Sequence, residues 1–133
     1  MGLDNGIEIV RNEYSNNIKK LNKFTARYDK YLQHPFEVCY WRKCWNVRAD
    51  ILNLLMNADG DMYQAKLEID DIKAIRKLLK SYNSKKWSYG WQGAYWKWHE
   101  HKRINRKHIR NLKKLIKVMK QYPELDVYFY DSY

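Results

Sequence analysis

The chain has 133 residues and a formal net charge of +11, and 45% of its residues are hydrophobic and 31% charged. This length predicts a single domain that buries its own core, and the composition excludes intrinsic disorder. No apolar run approaches transmembrane length, the N-terminus lacks a signal-peptide pattern, and Cys39 and Cys44 are expected to be free thiols. We therefore expect a cytoplasmic protein.

Positive charge is concentrated in the second half of the chain. Residues 72–123 carry sixteen Lys or Arg and one acid, Glu100, whereas residues 1–71 carry ten basic and eleven acidic side chains. Such a one-sided distribution is expected to attract polyanions or phosphorylated small molecules.

The first forty residues predict a strand, a helix and a short extended piece. Alternation over residues 6–11 predicts a strand. Apolar residues from Tyr14 to Leu32 recur at steps of three and four, which predicts a helix. Pro35 ends this helix because it disfavours helical backbone at His34. Residues 36–40 are expected to be extended.

The middle of the chain predicts a helix, a turn, a strand and another helix. We expect the second helix from about Trp41 to Met56, a turn over residues 57–61 and a strand over residues 62–69. Asp70 is a suitable N-cap for a third helix. The positions expected to be buried on it are Ile72, Ile75, Leu78, Leu79 and Tyr82.

The last third predicts an aromatic loop, a fourth helix and a closing strand. Residues 83–103 form the irregular aromatic loop, Asn105 caps the fourth helix, Pro123 terminates it, and residues 126–133 form the strand. The apolar face of the fourth helix is Ile109, Leu112, Leu115, Ile116 and Met119. Its opposite face is Arg106, Arg110, Lys113, Lys117 and Lys120. The whole order predicts an α+β fold in which about four helices pack with a small antiparallel sheet.

Three motifs resemble those of a family of small uncharacterised proteins from phages and bacterial genomes. They are Met1-Gly2-Leu3-Asp4, Tyr40-Trp41-Arg42-Lys43 and Tyr128-Phe129-Tyr130-Asp131-Ser132-Tyr133. The resemblance spans the chain from end to end and carries no activity. It implies a phage or prophage context, in which small non-enzymatic proteins often neutralise host defences and some sequester nucleotide signals.

Aromatic rings beside dense positive charge predict a ligand that offers stacking faces and phosphates. The rings of the aromatic loop would equally suit a core or an oligomer interface. For Trp41 and Trp45 the core of the second helix is the favoured interpretation. Arg42 is a candidate for bidentate phosphate binding. The predicted ligand-binding residues are Tyr40, Trp41, Arg42, Lys43, Trp87, Tyr89, Trp91, Arg103, Arg106, Arg110 and Tyr130.

The leading functional hypothesis is a non-enzymatic, homo-oligomeric protein that sequesters a nucleotide, such as a cyclic nucleotide signal, during phage counter-defence. The alternatives are a sequence-tolerant DNA- or RNA-binding protein and an inhibitor that docks on a host enzyme. Catalytic motifs are absent from the sequence. His99, His101 and His108 lack the accompanying ligands of a metal site, so neither a metal nor another cofactor is predicted.

Overall fold

The computed structural model describes residues 4–24, 36–42, 44–55, 64–82 and 98–132, and these form an α+β fold. Four antiparallel strands lie in the order β2-β1-β4-β3. The strands are β1 (Asp4–Ile9), β2 (Glu37–Arg42), β3 (Gln64–Lys66) and β4 (Val127–Ser132). The helices are α1 (Glu13–Asn16), α2 (Trp45–Leu54), α3 (Ile69–Ser81) and α4 (Trp98–Gln121), with a 3-10 helix at Lys19–Lys23. The predicted fold class is confirmed.

One face of the sheet forms the core. Ile7 of β1 lies opposite Cys39 of β2 and Phe129 of β4, and residues directly opposite in an antiparallel sheet point to the same side. All three are buried, and they form one hydrophobic cluster with apolar side chains from α3 and α4. The buried apolar residues of these two helices are Ile72, Ile75, Leu79, Ile109, Leu112, Leu115, Val118 and Met119. The apolar face predicted for α4 is therefore confirmed, with Ile116 partly buried at its edge.

The N-terminal helix is shorter than predicted. Helix α1 ends at Asn16, Ile18 is extended, and a 3-10 helix follows. Ile18, Leu21 and Phe24 are nevertheless buried. Their spacing of three matches the three residues per turn of a 3-10 helix, so the same apolar pattern is satisfied by a different backbone. Residues 25–35, the rest of the predicted helix, lie outside the described residues.

The starts of three predicted helices are wrong. The second helix begins at Trp45 because residues 40–42 pair with β1 in the sheet. Helix α3 begins at Ile69, with Glu68 rather than Asp70 as its N-cap. Helix α4 begins at Trp98, so residues 98–103 are helical and Asn105 is an interior position. The predicted turn at residues 57–61 and the aromatic segment 83–97 lie outside the described residues.

Candidate nucleic-acid interface

The outer face of α4 carries a long row of exposed cations. Eight of its Lys and Arg residues are exposed to solvent: Arg103, Arg106, Lys107, Arg110, Lys113, Lys114, Lys117 and Lys120. With a rise of 1.5 Å per residue, this cationic face of α4 extends for about 25 Å. It would match about seven base-pair steps of a double helix.

Most of these cations have no partner within the described part of the chain. Apart from Lys107, none of the eight side chains on the cationic face forms a hydrogen bond or an ion pair with a described residue. Glu100 is the only acidic residue between positions 72 and 123. Because an ordinary solvated helix face mixes the two signs of charge, this face produces a positive field suited to a polyanion.

Polar residues on the inner side of α4 fix the helix against the edge of the sheet. The Nε2 atom of His108 accepts a hydrogen bond from the Tyr40 backbone N–H at 3.2 Å, and Asn111 Nδ2 donates to the Val38 carbonyl oxygen at 3.0 Å. Strand β2 is an edge strand, and an edge strand leaves a row of backbone groups to be satisfied. Helix α4 therefore lies along this edge with its cations facing away.

His108 acts as a neutral structural residue. Burial, with a smaller contribution from Lys107, lowers the pKa of His108 to about 3. Accepting at Nε2 places its single proton on Nδ1. The ring meets the indole of Trp41 edge-on, with centroids 4.9 Å apart and planes at 72°. His108 therefore holds the helix in place and adds no charge to the cationic face.

The structure separates the described members of the predicted ligand-binding set. Trp41 is fully buried, which makes it a core residue rather than a stacking surface. Tyr40 and Tyr130 lie in register with Gly6 on the opposite face of the sheet from Trp41. Arg42 lies on that same opposite face. These side chains therefore lie on the face of the sheet away from the core formed with α3 and α4, whereas Arg103, Arg106 and Arg110 lie on the exposed side of α4.

Tyr130 is held in place by the residues around it. Its hydroxyl donates a hydrogen bond to Glu37 Oε1, and a Cβ atom added to Gly6 would come within 2.9 Å of Tyr130 Cε1. The same added atom would come within 2.5 Å of the Cys39 carbonyl oxygen. The glycine thus permits both the close strand pairing and the position of the tyrosine ring, which gives Tyr130 a structural role.

The aromatic part of the predicted nucleotide site remains a prediction. Trp87, Tyr89 and Trp91 lie outside the described residues, and so does Lys43. A ligand, a core and a second subunit stay open as the partners of the three rings.

A groove of about 450 Å³ lies where β3 leads into α3 and α4 leads into β4. Three carboxylates, those of Glu68, Glu124 and Asp126, line it together with Lys66 and an apolar floor. Lys66 Nζ lies 3.4 Å from Asp126 Oδ1. The excess of negative charge makes this groove unsuited to an anionic ligand.

Other site types find no support within the described ranges. No group of three or more His, Cys, Asp or Glu side chains is placed to hold a metal ion there. Cys39 and Cys44 are free and buried, and burial raises the pKa of both thiols, which opposes the thiolate form that nucleophilic cysteines require. No described helix combines the length and apolar character needed to cross a bilayer.

Sequence reasoning missed three cations of α3. Lys73, Arg76 and Lys80 were counted in the basic half of the chain without being placed at a site, although their spacing of three and four puts them along one side of the helix.

The chain was compared with protein-family models, curated proteins and solved structures, and none of these comparisons gave a match.

Proposed function

We propose that this protein is a non-enzymatic nucleic-acid-binding protein that contacts phosphates with the cationic face of α4. The observation that carries this proposal is the row of exposed cations over about 25 Å, most of which have no partner among the described residues. Arg103, Arg106 and Arg110 belong to this row, so they keep the phosphate-binding role expected from the sequence.

The open shape of the surface favours a polymer over a small nucleotide. A nucleic acid repeats its phosphates along its length and would engage cations over the whole helix, whereas a mononucleotide would engage only a few of them. A sequestering protein needs an enclosed site, and the described groove is acidic. Four expectations from the sequence stay predictions: nucleotide sequestration, the phage context, the inhibition of a host enzyme and homo-oligomerisation.

Binding should depend steeply on salt. We would measure the fluorescence anisotropy of labelled DNA and RNA, single- and double-stranded, across a series of salt concentrations. Each neutralised phosphate contributes about −0.9 to the slope of log affinity against log salt on a duplex. Engagement of half or more of the eight cations predicts a slope of roughly −4 to −7.

A charge-reversal pair tests whether the cationic face is responsible. Arg106→Glu with Arg110→Glu should weaken nucleic-acid binding by on the order of a hundredfold at moderate salt, because two attractions become repulsions. Lys19→Glu with Lys23→Glu makes the same change in net charge on the exposed 3-10 helix and is the matched control. Equal losses of nucleic-acid affinity in both variants would show that only the net charge of the protein matters. Unchanged affinity in the α4 variant would contradict the proposal.

A competition experiment separates the polymer from the small ligand. Unlabelled cyclic and linear nucleotides at concentrations equal in phosphate should displace the labelled nucleic acid poorly. If one nucleotide displaced it at low concentration and also raised the thermal midpoint strongly, the sequestration hypothesis would replace this proposal.

A further inference from the structure

Helices α3 and α4 pack side by side in antiparallel directions. The register is given by two hydrogen bonds between them: Asn105 Nδ2 donates to the Leu79 carbonyl oxygen at 2.8 Å, and Arg76 Nε donates to the Ile109 carbonyl oxygen at 3.2 Å. As the residue number rises along α4 it falls along α3. Positions near 73 on α3 therefore lie level with positions near 112 on α4.

Cations flank this contact on both helices. Lys73 and Lys80 stand three residues before and four residues after Arg76, and Arg106 and Lys113 stand three before and four after Ile109. Residues at these spacings are neighbours on a helix surface, so each pair borders the contact on its own helix. All four are exposed. The antiparallel register brings Lys80 level with Arg106, and Lys73 level with Lys113.

Arg76 lies between the two pairs as a fifth cation. It is partly buried, and its bond to the Ile109 carbonyl uses one of the five N–H donors of a guanidinium. No described residue accepts a hydrogen bond from the other four donors. Arg76 is thus anchored and retains donors suited to phosphate oxygens.

Close grouping of five like charges is unfavourable in the absence of an anion. Mutual repulsion opposes the compact arrangement, and none of the five side chains has a carboxylate partner among the described residues. A bound polyanion would remove this repulsion and release its own counterions. The arrangement thus has the electrostatics of a phosphate-binding site.

We propose that the seam between α3 and α4, defined by Lys73, Arg76, Lys80, Arg106 and Lys113, binds the phosphate backbone of a nucleic-acid duplex. This inference rests on the proposed function and adds both a second helix and a ligand class to it. A duplex carries one negative charge per about 1.7 Å, twice the density of one of its strands, so it gains most from five cations grouped along one seam.

The test uses Lys73→Gln with Lys80→Gln, which removes two charges on α3 and leaves α4 unchanged. Anisotropy with a labelled DNA duplex of about 20 base pairs should show affinity reduced by on the order of tenfold, and a salt slope less negative by about 1.8. Lys19→Gln with Lys23→Gln should retain the affinity and slope of the wild type. Thermal midpoints measured alongside establish that all variants are folded.

A second variant, Arg106→Gln with Arg110→Gln, distinguishes a failure of the seam from a failure of the proposed function. If this α4 variant loses duplex binding and the α3 variant does not, the seam is overturned and the proposed function stands. If neither variant changes binding, both fail. Wild-type affinity for a single strand of the same sequence that equals or exceeds its affinity for the duplex would overturn the duplex assignment.

Discussion

The two sides of α4 carry polar residues of opposite character. On the inner side, Asn105, His108 and Asn111 are uncharged, buried and bonded to backbone groups of α3 and β2. On the outer side, the cations are exposed and most lack a described partner. The difference shows that polarity alone does not mark a ligand-binding residue, because the inner polar groups serve to position the helix.

Two adjacent substitutions test the difference between the buried and the exposed side of α4 most directly. Leu112 is fully buried and Lys113 is exposed. Leu112→Ala should lower the free energy of unfolding by about 2–5 kcal/mol because it removes buried methyl groups and leaves a cavity. Lys113→Ala should change it by less than about 0.5 kcal/mol. Urea denaturation measures both, and equal effects at the two positions would contradict the assigned orientation of α4.

Asn111 tests the attachment of the helix to the sheet edge. Asn111→Ala leaves the buried Val38 carbonyl without the donor that stands 3.0 Å away, and an orphaned buried group costs about 1–3 kcal/mol. Urea denaturation should show that loss, and duplex binding by the folded variant should be unchanged at low temperature. A loss of binding without a loss of stability would move Asn111 into the binding surface.

The sequence predicted the periodicity of this helix better than its limits. Apolar spacing correctly assigned the inner and outer sides of α4. Asn105 was taken as a helix cap because an Asn before an apolar run has that meaning locally. Its actual partner, the Leu79 carbonyl, lies 26 residues away, and no local pattern reveals such a contact.

In the candidate site, too, the residues found from the sequence are those that local patterns identify, and the residues missed are those that depend on tertiary contacts. Arg106 and Arg110 were identified because their charge and spacing are local properties. The seam was missed because it depends on the antiparallel register of α3 and α4. That register is a tertiary contact, which local sequence patterns do not reveal. Trp41 was included among the ligand-binding candidates because two cations follow it, although the core was the favoured interpretation. Its pairing with Asn5 directs it into the core.

The pH dependence of stability tests whether His108, on the inner side of α4, is buried as a neutral ring. The pKa of His108 is lowered by burial to about 3 in the folded protein, against about 6.5 in the unfolded chain. Between these values the unfolded state binds more protons, so stability falls as pH decreases. From pH 7.5 to 5.5 the loss from this residue should be about 1.4 kcal/mol.

His108→Gln is the control for that measurement. An amide oxygen can still accept the Tyr40 N–H and does not titrate, so the variant should lack this part of the pH dependence even if its stability at pH 7.5 is lower. Urea midpoints at several pH values give the comparison. Identical pH dependence in the wild type and the variant would show that His108 is not buried as a neutral ring.

The smallest expected effect lies on the outer side, where it separates binding from stability most cleanly. Arg110→Gln removes one exposed charge that has no partner among the described residues, so the free energy of unfolding should change by less than about 0.5 kcal/mol. If Arg110 contacts one phosphate, the slope of log affinity against log salt on a DNA duplex should become less negative by about 0.9. An unchanged slope would place Arg110 outside the contact and shift the interface towards the α3 side of the helix. A full unit of slope lost without any change in the urea midpoint would establish that the outer cations act on the ligand and not on the fold.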